Sequence, residues 1–232
     1  MSYGHLDDVT AALCLSCDLR IIWGGDESVR TIRRHPIRPS ARDITFPDRH
    51  SFAVICADTY AQLAATDRRR VAERLYNDIF WFDQAGCSSP RWLLWVADES
   101  HLLGPLRHDL AGHLQAVIET KHYRVETGMA IEKLVSTYGE MMAGHLGEMR
   151  RVSNELTTVW ADDPDDLPRR YLGAGVVAEA RISSLRDIAA MVRRADQTIV
   201  HFGFSVDEMV ELADLVNGRG VDRMVPLGQA LA

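Results

Sequence analysis

The stretch Gly175-Val176-Val177-Ala178-Glu179-Ala180-Arg181-Ile182, followed by Leu185 to Arg194 and by Thr198-Ile199-Val200-His201-Phe202, decides the fold. Two short apolar runs flank a segment of helical length, so they read as strand, helix, strand. The alternation continues with a helix over Val206 to Val216, closed by Gly218, and a last strand over Arg223 to Pro226. Strands separated by helices of this length imply a parallel or mostly parallel sheet.

Upstream, Ser51-Phe52-Ala53-Val54-Ile55-Cys56 and Trp92-Leu93-Leu94-Trp95-Val96 are continuously apolar, as strands covered on both faces are. Between them Thr59 to about Phe82 reads as one long amphipathic helix, running into a loop rich in glycine and proline. Further helices are expected over Leu106 to Thr120 and Glu126 to Leu146, and a strand over Leu156 to Trp160. Near the start, Leu6 to Cys17 reads as a helix behind an acidic first turn. A strand Leu19–Trp23, a helix from Asp26 to Arg34 and a short strand Asp43–Phe46 follow. The class is α/β with a mostly parallel sheet.

The 232 residues carry a net charge of -7, which argues against a nucleic-acid footprint. Arg33-Arg34, Arg68-Arg69-Arg70 and Arg193-Arg194 are scattered among acids and read as solvated helix faces. No apolar run reaches bilayer-spanning length, and Asp7 and Asp8 stand where a signal peptide would be basic. A cytoplasmic location is therefore expected, with Cys14, Cys17, Cys56 and Cys87 as reduced thiols, ligands or nucleophiles.

Cys87 is the first candidate for chemistry. It lies between Gly86 and Pro90, just before a buried strand, and strand ends are where α/β folds place their sites. Backbone N–H groups of a tight loop favour the thiolate that such chemistry needs. A buried structural cysteine is the competing reading. Gly24-Gly25-Asp26-Glu27 closes a strand and opens a helix, a place suited to a cofactor phosphate or to a plain turn. His50, beside Ser51, is a candidate proton carrier or a loop histidine. Cys14 and Cys17 form a C-x-x-C without a second pair, which favours core cysteines over a metal site. The aromatic residues Phe80, Trp81, Phe82, Trp92 and Trp95 bracket Cys87 as core or as part of the lining of an apolar tunnel.

Four blocks carry a family resemblance: Ile22 to Arg30 around the Gly24-Gly25 pair, Ser51 to Ile55, Asp83-Gln84-Ala85-Gly86-Cys87-Ser88-Ser89-Pro90, and Gly220 to Gln229. In order and spacing the chain resembles the LuxC-type acyl-CoA reductases, a branch of the aldehyde dehydrogenase superfamily. The resemblance implies an aldehyde-dehydrogenase-like catalytic domain over 51–232 and, over 1–50, a remnant of the Rossmann-like cofactor domain. It implies NAD(P)H-dependent reduction of an acyl-CoA or acyl-carrier thioester to an aldehyde. Cys87 would be the acyl acceptor, and Gly24, Gly25, Asp26 and Glu27 would contact NADP or NAD. The family's N-terminal half is absent from this sequence. No glutamate stands in Ile44 to Ser51, where the superfamily carries its general base, which leaves His50 as the proton-handling candidate. A partial cofactor domain would expose apolar surface, so pairing with a second copy or a complementary half is expected. The competing functions are a non-redox acyl- or partner-binding half-enzyme and a cysteine acyltransferase.

Overall fold

In the computed structural model, residues 7–98 and 102–232 are described. The expected first helix begins at Leu6, which lies outside them. The chain forms two compact units, the first running to Arg49 and the second covering His50–Ala232.

The first unit contains α1 (Asp7–Ser16), β1 (Leu19–Trp23), α2 (Asp26–Arg33) and β2 (Arg42–Phe46). β1 and β2 pair in parallel, Leu19 opposite Arg42 and Trp23 opposite Phe46. Alternation along β1 buries Arg20 and Ile22 and exposes Leu19, Ile21 and Trp23. The buried Arg20 is fully employed. Its guanidinium grips the Asp43 carboxylate at 3.0 and 2.9 Å and donates to the Ile32 and His35 carbonyls.

The second unit is built on a seven-stranded sheet. Its strands are β3 (His50–Cys56), β4 (Pro90–Val96), β5 (Glu148–Arg151), β6 (Thr157–Trp160), β7 (Val176–Ile182), β8 (Asp196–Phe202) and β9 (Arg223–Pro226). They lie in the order β5-β6-β7-β4-β3-β8-β9. All pairings are parallel except that of β5 with β6. The helices are α3 (Ala57–Ala61), α4 (Ala65–Phe80), α5 (Leu103–Thr120), α6 (Thr127–Met142), α7 (Ile188–Met191) and α8 (Val206–Val216). On one face, Ala53, Ile55, Leu93 and Trp95 pack under α4 and α5; on the other, Phe52, Val54, Trp92 and Leu94 meet Ile188, Met209 and Leu212. Strands covered on both sides explain the continuous apolar runs.

Three elements differ from the sequence expectation. The helix expected from Thr59 to Phe82 breaks at Gln62-Leu63-Ala64, because Arg68 turns back to bond the freed Ala61 and Leu63 carbonyls and so stabilises the break. The helix expected from Leu185 to Arg194 is a single 3-10 turn plus the four residues of α7, since Asp196 captures the Arg193 N–H at 2.7 Å and starts the next strand. Sequence reading gave no strand over Glu148–Arg151. Its residues are polar and it pairs antiparallel at the sheet edge.

Candidate active site

Between Phe80 and Pro90 the chain reverses from α4 into β4 through two consecutive left-handed residues, Asp83 (φ 50) and Gln84 (φ 61). That backbone costs a non-glycine residue on the order of 1–3 kcal/mol and persists only where surroundings impose it. Here they do. The Gln84 N–H donates to the Ile79 carbonyl at 2.8 Å, and its buried side-chain amide donates to Pro90 O at 2.9 Å and Val176 O at 2.8 Å. Tyr123 donates to Asp83 Oδ1 and Tyr171 to the Asp83 carbonyl, both at 2.6 Å. Burial raises both phenol pKa values, which keeps them donors.

Cys87 follows in a turn closed by the Ser89 N–H on the Gly86 carbonyl at 3.0 Å. Its thiol is free and the residue is half-buried. The Cys87 carbonyl accepts from Ser51 Oγ at 2.7 Å, and Ser51 Oγ accepts from the Thr198 N–H at 3.1 Å. Among the described residues, none accepts from the N–H of Cys87 or Ser88. The turn thus sets a free thiol beside two adjacent amide N–H groups that have no partner among the described residues. Gly86 packs closely: a Cβ there would stand 3.1 Å from Ser89 Oγ and 3.6 Å from Leu231 Cδ2, so a larger residue would require Ser89 to shift.

The pairing of Ser51 with Pro90 puts this turn at the amino ends of β3 and β4. That departs from the carboxyl-end rule for open α/β sheets. The bracketing aromatics divide: Phe80, Trp92 and Trp95 are core, whereas Trp81 and Phe82 are exposed.

His50 opens β3 but points to the other face from Ser51, as strand alternation requires. It is buried, with its ring 4.1 Å from Trp92 between centroids and its Nδ1 3.2 Å from Asp196 Oδ1. Burial lowers its pKa, and the Asp196 contact opposes this only in part. Asp196 is shared with Arg169, whose guanidinium lies over Trp92. The residue brought to Cys87 is therefore Ser51, which the sequence marks as the neighbour of His50 and the first residue of the Ser51 to Ile55 block.

In the first unit, Gly25 caps α2 and the Asp26 N–H donates to Asp48 Oδ2 at 3.0 Å. Asp26 and Glu27 are exposed and pair with Arg30. Two side-chain-free residues at a helix start suit a phosphate, but a carboxylate already holds one amide there. Cys14 is buried and accepts from Arg20 at 3.4 Å, while Cys17 Sγ lies 3.4 Å from the Cys14 carbonyl. No group of three or more metal-ligating side chains occurs among the described residues.

The fourth block reaches the same loop. Asp78, in α4, accepts the N–H groups of Gly228 at 2.6 Å and Ala230 at 2.9 Å, which seats Leu231 against Gly86. Burial pushes the Asp78 carboxyl up to about 6.

The family model of acyl-CoA reductase (LuxC) matches residues 4–231. The chain belongs to the LuxC acyl-CoA reductase family. A comparison with curated proteins gives no match. Solved aldehyde dehydrogenases share the fold of this LuxC-family chain. An NAD-dependent aldehyde dehydrogenase from Sinorhizobium meliloti is 13% identical with a TM-score of 0.67, over 95% of this chain and 45% of that one. Aldehyde dehydrogenase 21 from Physcomitrella patens, in complex with the reaction product succinate, is 10% identical with a TM-score of 0.66, over 97% and 47%. A methylmalonate-semialdehyde dehydrogenase from Sinorhizobium meliloti 1021, complexed with NAD, is 13% identical with a TM-score of 0.64, over 96% and 48%. The LuxC-family chain thus spans just under half the length of these relatives. Among the described residues, no helix is long and apolar enough to cross a membrane.

Proposed function

We propose that this chain is the acyl-transfer half of an NAD(P)H-dependent acyl-thioester reductase, with Cys87 as the acceptor. The observation that supports it is the Gly86–Ser89 turn, which offers a half-buried free thiol beside two N–H groups without a partner among the described residues. Cys87 Sγ, as thiolate, attacks the carbonyl of an acyl-CoA or acyl-carrier thioester. The carbonyl π pair moves onto oxygen, and the Cys87 and Ser88 N–H groups hold that oxyanion. Its collapse expels the donor thiolate, which takes a proton from water, and leaves an acyl-Cys87 thioester. One sulfur has replaced another, so the exchange is close to balanced. The exposed Trp81 and Phe82 offer apolar surface near the turn for an acyl chain.

A reduced nicotinamide, when bound, supplies the hydride that converts the acyl thioester to aldehyde and returns the thiolate. Gly24, Gly25, Asp26 and Glu27 are the proposed contacts, on condition that a phosphate displaces Asp48 from the Asp26 amide. Ser51 positions the Cys87 carbonyl. His50, buried against Asp196 and Trp92, has a structural part in this reading. The chain spans under half the length of its solved relatives; in this reading acylation of Cys87 is the step assigned to its second unit.

Incubation of the chain with an acyl-CoA, followed by mass spectrometry, tests the reading. The expected result is one acyl adduct on Cys87, lost in Cys87→Ser with the circular dichroism spectrum unchanged. An adduct that survives in the serine variant rules Cys87 out. Aldehyde formed on adding NADH or NADPH separates reductase from acyltransferase, and an acyl adduct without aldehyde supports a half-enzyme.

A further inference from the structure

In a trans peptide unit the C=O and the N–H that follows it point in opposite directions. Whatever holds a carbonyl of the Cys87 turn therefore aims the next amide. Ser51 Oγ holds the Cys87 carbonyl at 2.7 Å, which turns the Ser88 N–H away from Ser51. The Ser89 N–H holds the Gly86 carbonyl at 3.0 Å, which turns the Cys87 N–H away from Ser89. These two bonds fix the turn from the β3 side and from within.

The approach from α4 is fixed at one peptide unit, Asp83–Gln84. Its carbonyl accepts from the Tyr171 hydroxyl at 2.6 Å and its N–H donates to the Ile79 carbonyl at 2.8 Å, so the plane is held at both ends. The Tyr123 hydroxyl holds the Asp83 side chain at 2.6 Å. Both residues of the unit are left-handed, a conformation that aspartate tolerates and glutamine rarely adopts. Only Ala85 and Gly86 separate it from Cys87, and the Ala85 N–H is bonded to the Phe82 carbonyl at 2.8 Å. A rotation at Asp83 thus reaches Cys87 with Gly86 as the one soft joint.

The two tyrosines come from distant segments: Tyr123 follows α5 and Tyr171 precedes β7. Each ring has its own packing. Tyr123 stands edge-on to Phe80 with 5.0 Å between centroids, and the Arg91 guanidinium lies over Tyr171, 5.6 Å from the ring centroid. Phenylalanine would satisfy both contacts, so the hydroxyls answer to Asp83 alone. Two hydroxyls from separate segments converge on one residue in an unfavourable backbone conformation, four positions before a free thiol.

We propose that Tyr171 and Tyr123 are positioning residues for Cys87, acting through Asp83 to aim the Cys87 and Ser88 N–H groups at the oxygen of the acyl group being transferred. The proposal rests on the reading of Cys87 as acyl acceptor. The two hydroxyls serve the oxyanion, not the reactivity of the thiol itself.

Two reactions of Cys87, each carried out on the folded chain and read by mass spectrometry of the Cys87 peptide, test this. Acylation by an acyl-CoA builds an oxyanion that needs the two N–H groups. Alkylation by iodoacetamide displaces iodide at a saturated carbon and builds none. Tyr171→Phe and Tyr123→Phe should each slow acylation at saturating acyl-CoA about tenfold, a part of the roughly 10²–10³ that loss of a whole oxyanion donor costs. The alkylation rate and the acyl-CoA concentration giving half-maximal acylation should stay as in the wild type, the pattern of an interaction made only in the transition state. Asp83→Asn keeps an acceptor for Tyr123, a carbonyl for Tyr171 and tolerance of the left-handed backbone, so it should retain the ratio of acylation to alkylation that Asp83→Ala loses. An unchanged ratio in both phenylalanine variants, an alkylation rate that changes as much as acylation, or an Asp83→Asn ratio as low as that of Asp83→Ala would each overturn the proposal and leave Cys87 as acceptor. A wild type alkylated at Cys87 but never acylated there overturns the acceptor reading, and this proposal with it.

Discussion

Ser51 Oγ accepts from the Thr198 N–H and donates to the Cys87 carbonyl, so a single hydroxyl ties the Cys87 turn to two strands of the sheet. Ser51→Ala leaves both backbone groups without that partner in a buried place, which costs on the order of 1–3 kcal/mol. The expected outcome is a lower urea midpoint and several-fold slower acylation of Cys87, with the thiol still present. Equal acylation rates in both proteins would remove Ser51 from the positioning role. Gln84 acts at the same scale on the other flank. Its residue type in the D-Q-x-G-C block is explained by two donors meeting the Pro90 and Val176 carbonyls, not by chemistry on substrate.

At the scale of elements, close approaches decide which residues are allowed. Where the chain enters β7, Gly175 has φ 70, and a Cβ would lie 1.9 Å from the Glu155 carbonyl oxygen. Backbone is what it would strike, so Gly175→Ala should destabilise by about 3 kcal/mol or more. Thermal denaturation measures this, and a loss under 1 kcal/mol would be inconsistent with that packing. The clasp between α4 and Gly228–Ala230 carries a pH dependence. Folding lifts the Asp78 carboxyl from 3.8 to about 6, so the folded chain binds this proton more tightly than the unfolded one. Its contribution is fully present below the unfolded value and is lost as pH rises through the folded one. Denaturation midpoints between pH 4 and 7 should therefore fall more steeply with pH in the wild type than in Asp78→Asn.

For the molecule as a whole, the two units differ in how completely they are covered. The second carries cores on both faces of its sheet. The first rests on two strands that expose Leu19, Ile21, Trp23, Ile44 and Phe46. Two-stranded sheets are marginal alone, and parallel ones are ordinarily covered on both faces. Hydrogen exchange should show β1 and β2 amides opening at lower free energy than those of β3 and β4. Equal protection in the two units would contradict that ordering.

The α/β class and the parallel strands were legible in the sequence, because a strand buried on both faces must be continuously apolar; the turn around Cys87 was legible as a loop from Gly86 and Pro90. The placement of β3 was legible too, but not the consequence of its alternation, which sends Ser51 to Cys87 and His50 into the core. The break before α4 and the polar edge strand required the tertiary structure. Each is decided by a partner distant in sequence or by a side chain turning back on the backbone, and local periodicity records neither.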